Sequence, residues 1–383
     1  MDPATPLAEA NPAASREDVL AHFREDVYGC APVDGWELAW ELAAEHVTAT
    51  QMVRQQWVLS ISTELGTHRC VVMIDLPRGA TAVPAFLALN FRGNHACTAD
   101  GDVLDLQHEP PERLGAIHYT GLREPVTLPV PRGIEAHRWP AELVTSRGYA
   151  AITSCYLQCG PDSVDVFRHG IHPLFSSTTA DTRDPRAWGG IAIWSWLLSR
   201  ILDALEAGMA PAVDAGRVAV LGHSRLGKAA LWAAAQDPRF AAAISNNSGC
   251  MGAALSRPVG ETPEVLARIR PYWFAPRFTE TVLAGQPLPV DQHQLIAAIA
   301  PRPVYVASAS DDANADPQGE FAALRTAAAV WGAHTGPADL EFPEPDTVRW
   351  WSDAPLAHHV RRGGHDMMPW DWMQWLSFAD RWL

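Results

Sequence analysis

Residues 218–228, VAVLGHSRLGK, constrain the fold more than any other stretch of this 383-residue chain. Four apolar or small residues run into Gly222-His223-Ser224-Arg225. Gly227, Lys228 and the helix-forming run Ala229–Gln236 follow. This order predicts a buried strand, a tight turn and a helix start. The pattern is a variant of the nucleophile elbow G-x-S-x-G, with the second glycine three residues after the serine instead of two. Such a turn strains the serine backbone and lifts its hydroxyl clear of the sheet edge. The next backbone N–H, that of Arg225, then points into the helix N-terminus, where a developing oxyanion is stabilised. The plainer alternative is a strand-to-helix turn with a capping serine.

Composition narrows the partners. The chain is 48% hydrophobic, ample for a large core, and carries a formal charge of −15 from 29 basic and 44 acidic residues. That balance argues against nucleic acid and against a broad anionic membrane surface. Of sixteen tryptophans some belong to the core, but exposed indoles commonly stack on sugar rings, which keeps a carbohydrate ligand in view. Of the six cysteines only Cys155 and Cys159 are close, so no metal and no cofactor are expected and buried thiols are the default. Residues 1–14 read as a flexible leader without a basic start or an apolar core. A cytoplasmic protein is expected, or a secreted one if a signal has been removed. The apolar stretch Trp188–Leu205 contains Arg200 and Asp203, which favours a core helix over a membrane span. The oligomeric state stays open.

Taken in order, the chain alternates strands and helices. Ser15–Tyr28 predicts a helix capped by Ser15. Gln56–Thr63 and Arg69–Leu76 predict an antiparallel hairpin. Pro84–Phe91 is a strand buried on both faces and ends in Arg92-Gly93-Asn94-His95, a candidate loop for a second oxyanion donor or an ordinary polar turn. Arg138–Arg147 predicts a helix and Tyr149–Tyr156 a strand. Gln158–Thr182 predicts a long polar loop, and Asp184-Pro185 the cap of the helix that runs on to Leu205. After the elbow, strands are expected at Ala242–Ser245 and Pro303–Ala309, and helices at Gln292–Ile299, Gly319–Val330 and Trp370–Leu383. Residues 251–289 read as an insertion over the active edge. The whole predicts a doubly wound, mostly parallel sheet with helices on both faces, a three-layer αβα sandwich in one domain over 15–383.

A nucleophilic serine needs a base and a group to orient that base. In α/β-hydrolases these follow in the order serine, acid, histidine. Asp312 lies just beyond the strand Pro303–Ala309 and is the candidate acid. Asp316 is its competitor, although Asp316-Pro317 also suits a helix cap. His365, approached through Gly363-Gly364, is the candidate base. The α/β-hydrolase fold is the expected architecture.

Gly222-His223-Ser224-Arg225-Leu226-Gly227-Lys228 is similar to the elbow of glucuronoyl esterases, carbohydrate esterase family 15. The likeness extends through Asn90–His95, Asp237–Phe240, Asn247-Ser248-Gly249, Gly260-Glu261-Thr262, Ala300–Pro303, Ala315–Phe321 and Gly363–Asp366. It looks like the bacterial branch and covers roughly residues 85–383. The resemblance implies a serine esterase acting on the 4-O-methyl-glucuronoyl ester between glucuronoxylan and lignin alcohols. Ser224 would be the nucleophile and His365 the base. Arg225 would stabilise the oxyanion through backbone and side chain, and Lys228 and Glu261 would hold sugar hydroxyls.

Two positions depart from the family pattern. Asn247 stands where many members carry the triad acid as Glu, so the acid is expected at Asp312. Asn314 stands where a tryptophan often packs on the sugar. Two other readings stay open: an esterase for other acylated sugars such as acetyl esters, and a catalytically dead carbohydrate-binding homologue.

Overall fold

The computed structural model describes residues 15–104, 130–175, 183–333 and 341–383. The expected leader and the last part of the polar loop at 176–182 lie outside the described residues. The strands in chain order are β1 Glu37–Val47, β2 Val53–Thr63, β3 Gly66–Leu76, β4 Val83–Asn90, β5 Ala150–Cys155, β6 Val213–His223, β7 Ala242–Asn246, β8 Val304–Ala309, β9 Thr347–Trp350 and β10 Leu356–Arg361. The α-helices are α1 Arg16–His22, α2 Ala141–Ser146, α3 Tyr156–Cys159, α4 Gly190–Glu206, α5 Arg225–Gln236, α6 Pro263–Ile269, α7 Pro276–Leu283, α8 Gln292–Ala297, α9 Pro317–Ala327 and α10 Pro369–Trp382.

Contacts divide the chain into two compact units. One comprises Pro32–Arg183 and Trp196–Ala219. Here β1 pairs antiparallel with β2, and β2 with β3. The turn between β2 and β3 is Glu64-Leu65, as the hairpin reading expects. β3 pairs antiparallel with β5, and β5 pairs parallel with β4. Burial runs almost unbroken along β4, from Ala85 to Asn90, which matches its apolar sequence. The loop after β4 is tightly built. The Asn90 Oδ1 accepts from Gly93 N–H at 2.8 Å, Gly93 has φ 102°, and Asn94 and His95 are buried in a short 3₁₀ turn.

The other unit comprises the residues up to Ala31, Asp184–Ser195 and Val220–Leu383. Its strands β7 and β8 are parallel, β8 and β10 are parallel, and β9 closes antiparallel on β10. Strand β10, LAHHVR, carries no alternation and reads as polar, yet every residue in it is buried. Most of its polar groups find partners inside: His359 sits between Tyr305 and Asp371, each at 2.9 Å, Arg361 donates to Asp371 at 3.0 Å, and His358 Nε2 meets Ser308 Oγ at 3.2 Å. A strand whose polar side chains find buried partners escapes a periodicity reading.

Two expectations are corrected, the start of the long helix and the burial of every thiol. Helix α4 begins at Gly190, not at Asp184. Asp184 instead caps a turn, its Oδ1 accepting from Arg186 N–H at 2.7 Å. Gly189 then passes so close to Trp273 that a Cβ there would lie 2.4 Å from the Trp273 carbonyl oxygen. Half of the sixteen tryptophans are core: Trp188, Trp194, Trp196, Trp232, Trp273, Trp351, Trp372 and Trp375 are buried. The thiols are free, but Cys30 is exposed while the other five are buried. Among the described residues no helix is long and apolar enough to cross a membrane.

Helix α9 carries a fully buried carboxyl, Glu320, beneath the loop that follows β7. It accepts from Ser308 Oγ at 2.6 Å and from Gly249 N–H at 2.9 Å. Burial outweighs these bonds and pushes its pKa up to about 8. The folded state therefore holds this proton more tightly than the unfolded chain does. The Glu320 contribution to stability is complete below the ordinary carboxylate range and is lost as pH rises towards about 8. Urea unfolding across pH 5 to 9 should show a decline in this interval that Glu320→Gln flattens; parallel curves for the two proteins would contradict the assignment.

Candidate active site

Every candidate residue of the triad lies in the second of these units. Strand β6 ends at His223, and Ser224 turns the chain into α5. Ser224 has φ 57° and ψ −130°, a conformation that residues with a Cβ rarely adopt and that costs on the order of 1–3 kcal/mol. Its N–H is tied to the Asn246 carbonyl at 2.9 Å. Two glycines permit the turn. A Cβ on Gly222 would fall 2.0 Å from the Leu226 carbonyl oxygen, and one on Gly227 would fall 2.9 Å from the Ser248 Cβ. The helix thus lies almost on the strand that feeds it. This accounts for the unusual spacing, since the second glycine is placed by its contact with residue 248. Arg225 opens the helix, so its N–H is one of the donors that α-helix geometry leaves without an intrahelical partner.

The acid and the histidine come together. His365 Nδ1 lies 2.5 Å from Asp312 Oδ2. Asp312 is buried, in the turn after β8. Burial by itself would raise its carboxyl, but hydrogen bonds from His365 and Asn247 outweigh it and hold it below the usual carboxylate range. Asp316 is engaged elsewhere. It caps α9 through Gly319 N–H at 3.0 Å and forms a two-pronged pair with Arg257, both contacts at 2.6 Å.

The His365 loop is held from below. Arg361 donates to the carbonyls of Gly364 at 2.9 Å and Asp366 at 3.1 Å, one on each side of His365. Its Nε in turn grips the buried Asp371 of α10. Gly363 needs its glycine, with φ 113°, whereas a Cβ on Gly364 would meet open space. Sequence reasoning passed over Arg361 and Asp371, because a buried ion pair between a strand end and a helix start has no local pattern.

The expected substrate-binding pair is also assembled. Lys228 is buried, and its Nζ donates to the Ser248 carbonyl and, at 2.6 Å, to that of Cys250. Glu261 Oε2 lies 3.8 Å from the same nitrogen. Burial lowers the Lys228 pKa, and Glu261 partly restores it. The Glu261 loop is docked on the segment after Asp312, with Glu261 N–H on the Asn314 carbonyl at 3.0 Å. The Arg225 guanidinium lies 5.1 Å from the centre of the Trp273 ring, a cation–π contact that sequence did not foresee. The group nearest to metal-ligand geometry among the described residues is His46, Asp100 and Asp102 in the other unit. There Asp100 Oδ2 already accepts from Arg54 at 3.0 Å and contacts His46 at 2.9 Å.

Comparison with known proteins extends this picture. A family model described as glucuronyl esterase, fungi, matches residues 182–335. The carbohydrate esterase MZ0003, from an unidentified prokaryote, is 36% identical over 372 residues, 95% of this chain and 83% of that protein. A promiscuous CE15 esterase from a marine bacterial metagenome superposes with a TM-score of 0.82 at 33% identity, over 99% of this chain and 94% of the other. A glucuronoyl esterase from Solibacter usitatus gives 0.80 at 32% identity, over 96% and 92%. Fold and elbow thus define a carboxylic ester hydrolase of the α/β-hydrolase class. The chain belongs to carbohydrate esterase family 15.

The close approach at the elbow gives a direct test. Gly222→Ala cannot be accommodated without moving α5 and should destabilise the protein by about 2–4 kcal/mol, read from chemical denaturation. A variant as stable as the parent would mean that the helix has room to withdraw.

Proposed function

We propose that this chain hydrolyses glucuronoyl esters of carbohydrates, with Ser224 as nucleophile, His365 as base and Asp312 as the orienting acid. The observation that carries the reading is the 2.5 Å contact of His365 Nδ1 with Asp312, in the same unit as the strained Ser224. Proton transfer runs in two halves. Held at Nδ1, His365 presents Nε2 to take the Ser224 proton as the oxygen attacks the ester carbonyl. Asp312 offsets the imidazolium charge that forms. The Arg225 N–H, with its guanidinium nearby, stabilises the oxyanion. His365 then returns the proton to the departing alcohol, and water hydrolyses the acyl-enzyme by the same route reversed.

Lys228 and Glu261 take the sugar in this reading. Lys228 uses two N–H groups on backbone carbonyls, and the third faces Glu261. A sugar hydroxyl set between them accepts from the lysine and donates to the carboxylate. The glucuronoyl assignment draws support from the Solibacter usitatus relative. A broader acyl range is the second reading, favoured by the exposed Asn314 at the position where the family often places a sugar-packing tryptophan.

Turnover of benzyl glucuronate against 4-nitrophenyl acetate, with Ser224→Ala as the blank, tests the substrate. Fast hydrolysis of the glucuronate is expected; turnover of the acetate alone would overturn the glucuronoyl assignment and leave the serine esterase. Asp312→Ala should cost on the order of 10⁴ in rate, while Asp316→Ala should spare chemistry in whatever fraction remains folded. The reverse pattern would exchange the two acids. Labelling by a fluorophosphonate should vanish in Ser224→Ala, and labelling that persists would remove Ser224 from its role.

A further inference from the structure

Strand β7 ends in Asn246, and Asn247 follows. Both are buried, and neither has a role so far. Their hydrogen bonds reach every part of the centre. The Asn246 carbonyl accepts the Ser224 N–H at 2.9 Å. Its side-chain Nδ2 donates to Nδ1 of His223, the residue before the serine, at 2.9 Å. The same Nδ2 donates to the carbonyl of Asp366, the residue after the histidine, at 3.1 Å. Asn247 Nδ2 donates at 2.8 Å to Asp312 Oδ2, the oxygen that also meets His365 Nδ1. Asn247 is itself anchored, its N–H on the Ala307 carbonyl of β8 at 2.7 Å.

The chemistry fixes the amide orientations. Only an NH₂ can face an ionised carboxylate or a carbonyl, so both Nδ2 positions are donors. The Nδ1 of His223 is then an acceptor, and that ring is the neutral Nε2–H tautomer. Its ring lies 4.6 Å from that of His365. Asp312 thus meets donors on both oxygens: His365 and Asn247 on Oδ2, and Ala315 N–H on Oδ1 at 3.3 Å. A charge-assisted bond from a buried, anchored amide resists rotation of the carboxylate.

We propose that the Asn246-Asn247 dipeptide positions the catalytic centre, with Asn247 aiming the Asp312 carboxylate at His365 and Asn246 joining the elbow to the histidine loop. The proposal rests on the reading of Ser224, His365 and Asp312 as the triad. Asn247 has φ 48°, which asparagine, aspartate and glycine adopt more readily than most residues. Replacement by aspartate or glycine therefore changes the hydrogen bond without adding backbone strain. The titratable groups around the Asp312–His365 pair are His223 from β6, Arg361 from β10, Glu320 from α9 and Asp366 in the loop, and these variants leave all four in place.

The test is kcat and KM for 4-nitrophenyl acetate from pH 5 to 9 in the parent, Asn247→Gly, Asn247→Asp and Asp312→Asn, with thermal melting of each. Asn247→Gly should lower kcat by about 10- to 100-fold and leave KM unchanged, because orientation alone is lost. Asn247→Asp places a second carboxyl against Asp312, adding negative charge to the group that meets the imidazole. The acid limb of kcat/KM should then move to higher pH, a shift that a purely structural role would not produce. Unchanged kcat in Asn247→Gly together with an unmoved limb in Asn247→Asp, while Asp312→Asn is inactive, would overturn the positioning role and leave the triad standing. An active Asp312→Asn would overturn the triad reading and this proposal with it. Should Asn247→Gly fail to fold, the limb of Asn247→Asp decides.

Discussion

The contact on which this site depends is the approach of helix α5 to strand β6. Gly222 has no side chain to hold them apart, and a Cβ there would lie 2.0 Å from the Leu226 carbonyl oxygen. Because the helix lies this close, the residue between strand and helix is driven to φ 57°. Ser224 cannot relax while the helix stays packed, and the helix is buried from Leu226 to Ala235. The strain is local, and the apolar contacts that hold it are spread over three turns.

The remaining groups are held by polar contacts in the interior. The loop on each side of His365 and the loop that Lys228 reaches are both gripped by buried side chains. Glu320 takes the Gly249 N–H, and Arg361 takes the carbonyls on both sides of His365. Such networks are demanding, because each member left without a partner in a low-dielectric interior is costly. They also leave little freedom in the geometry, which suits a reaction that depends on aligned donors.

The elbow, the hairpin and the parallel strands β4, β5, β7 and β8 were legible because glycine placement and apolar runs are local signals. Chain order and flanking glycines singled out Ser224, Asp312 and His365, and the structure brings the last two into contact. Strand β10 was missed because His358, His359 and Arg361 disguise it as a loop, although every residue of it is buried. The start of α4 was misplaced because Asp184-Pro185 imitates a cap, whereas the packing of Gly189 on Trp273 sets the true start. Arg361, Asp371 and Asn246 gave no signal, and Asn247 was noticed only as a departure from the family's acid, not for its bond to Asp312. Each works through a partner distant in sequence, and a single sequence does not display such pairs.

The grip of Arg361 couples the histidine loop to the last helix. Arg361 reaches the carbonyls beside His365 with its Nε fixed on Asp371, and Asp371 belongs to helix α10 at residues 369–382. Ser224 and Asp312 stand on elements that precede this helix in the chain. The turn that carries Asp312 is tied to the segment leading to His365, Ser310 N–H on the Arg361 carbonyl at 2.8 Å and Asp311 N–H on that of Gly363 at 2.9 Å. The His365 loop is thus tied to a helix that lies wholly C-terminal to it, and a change at Asp371 would reach the imidazole without touching the elbow.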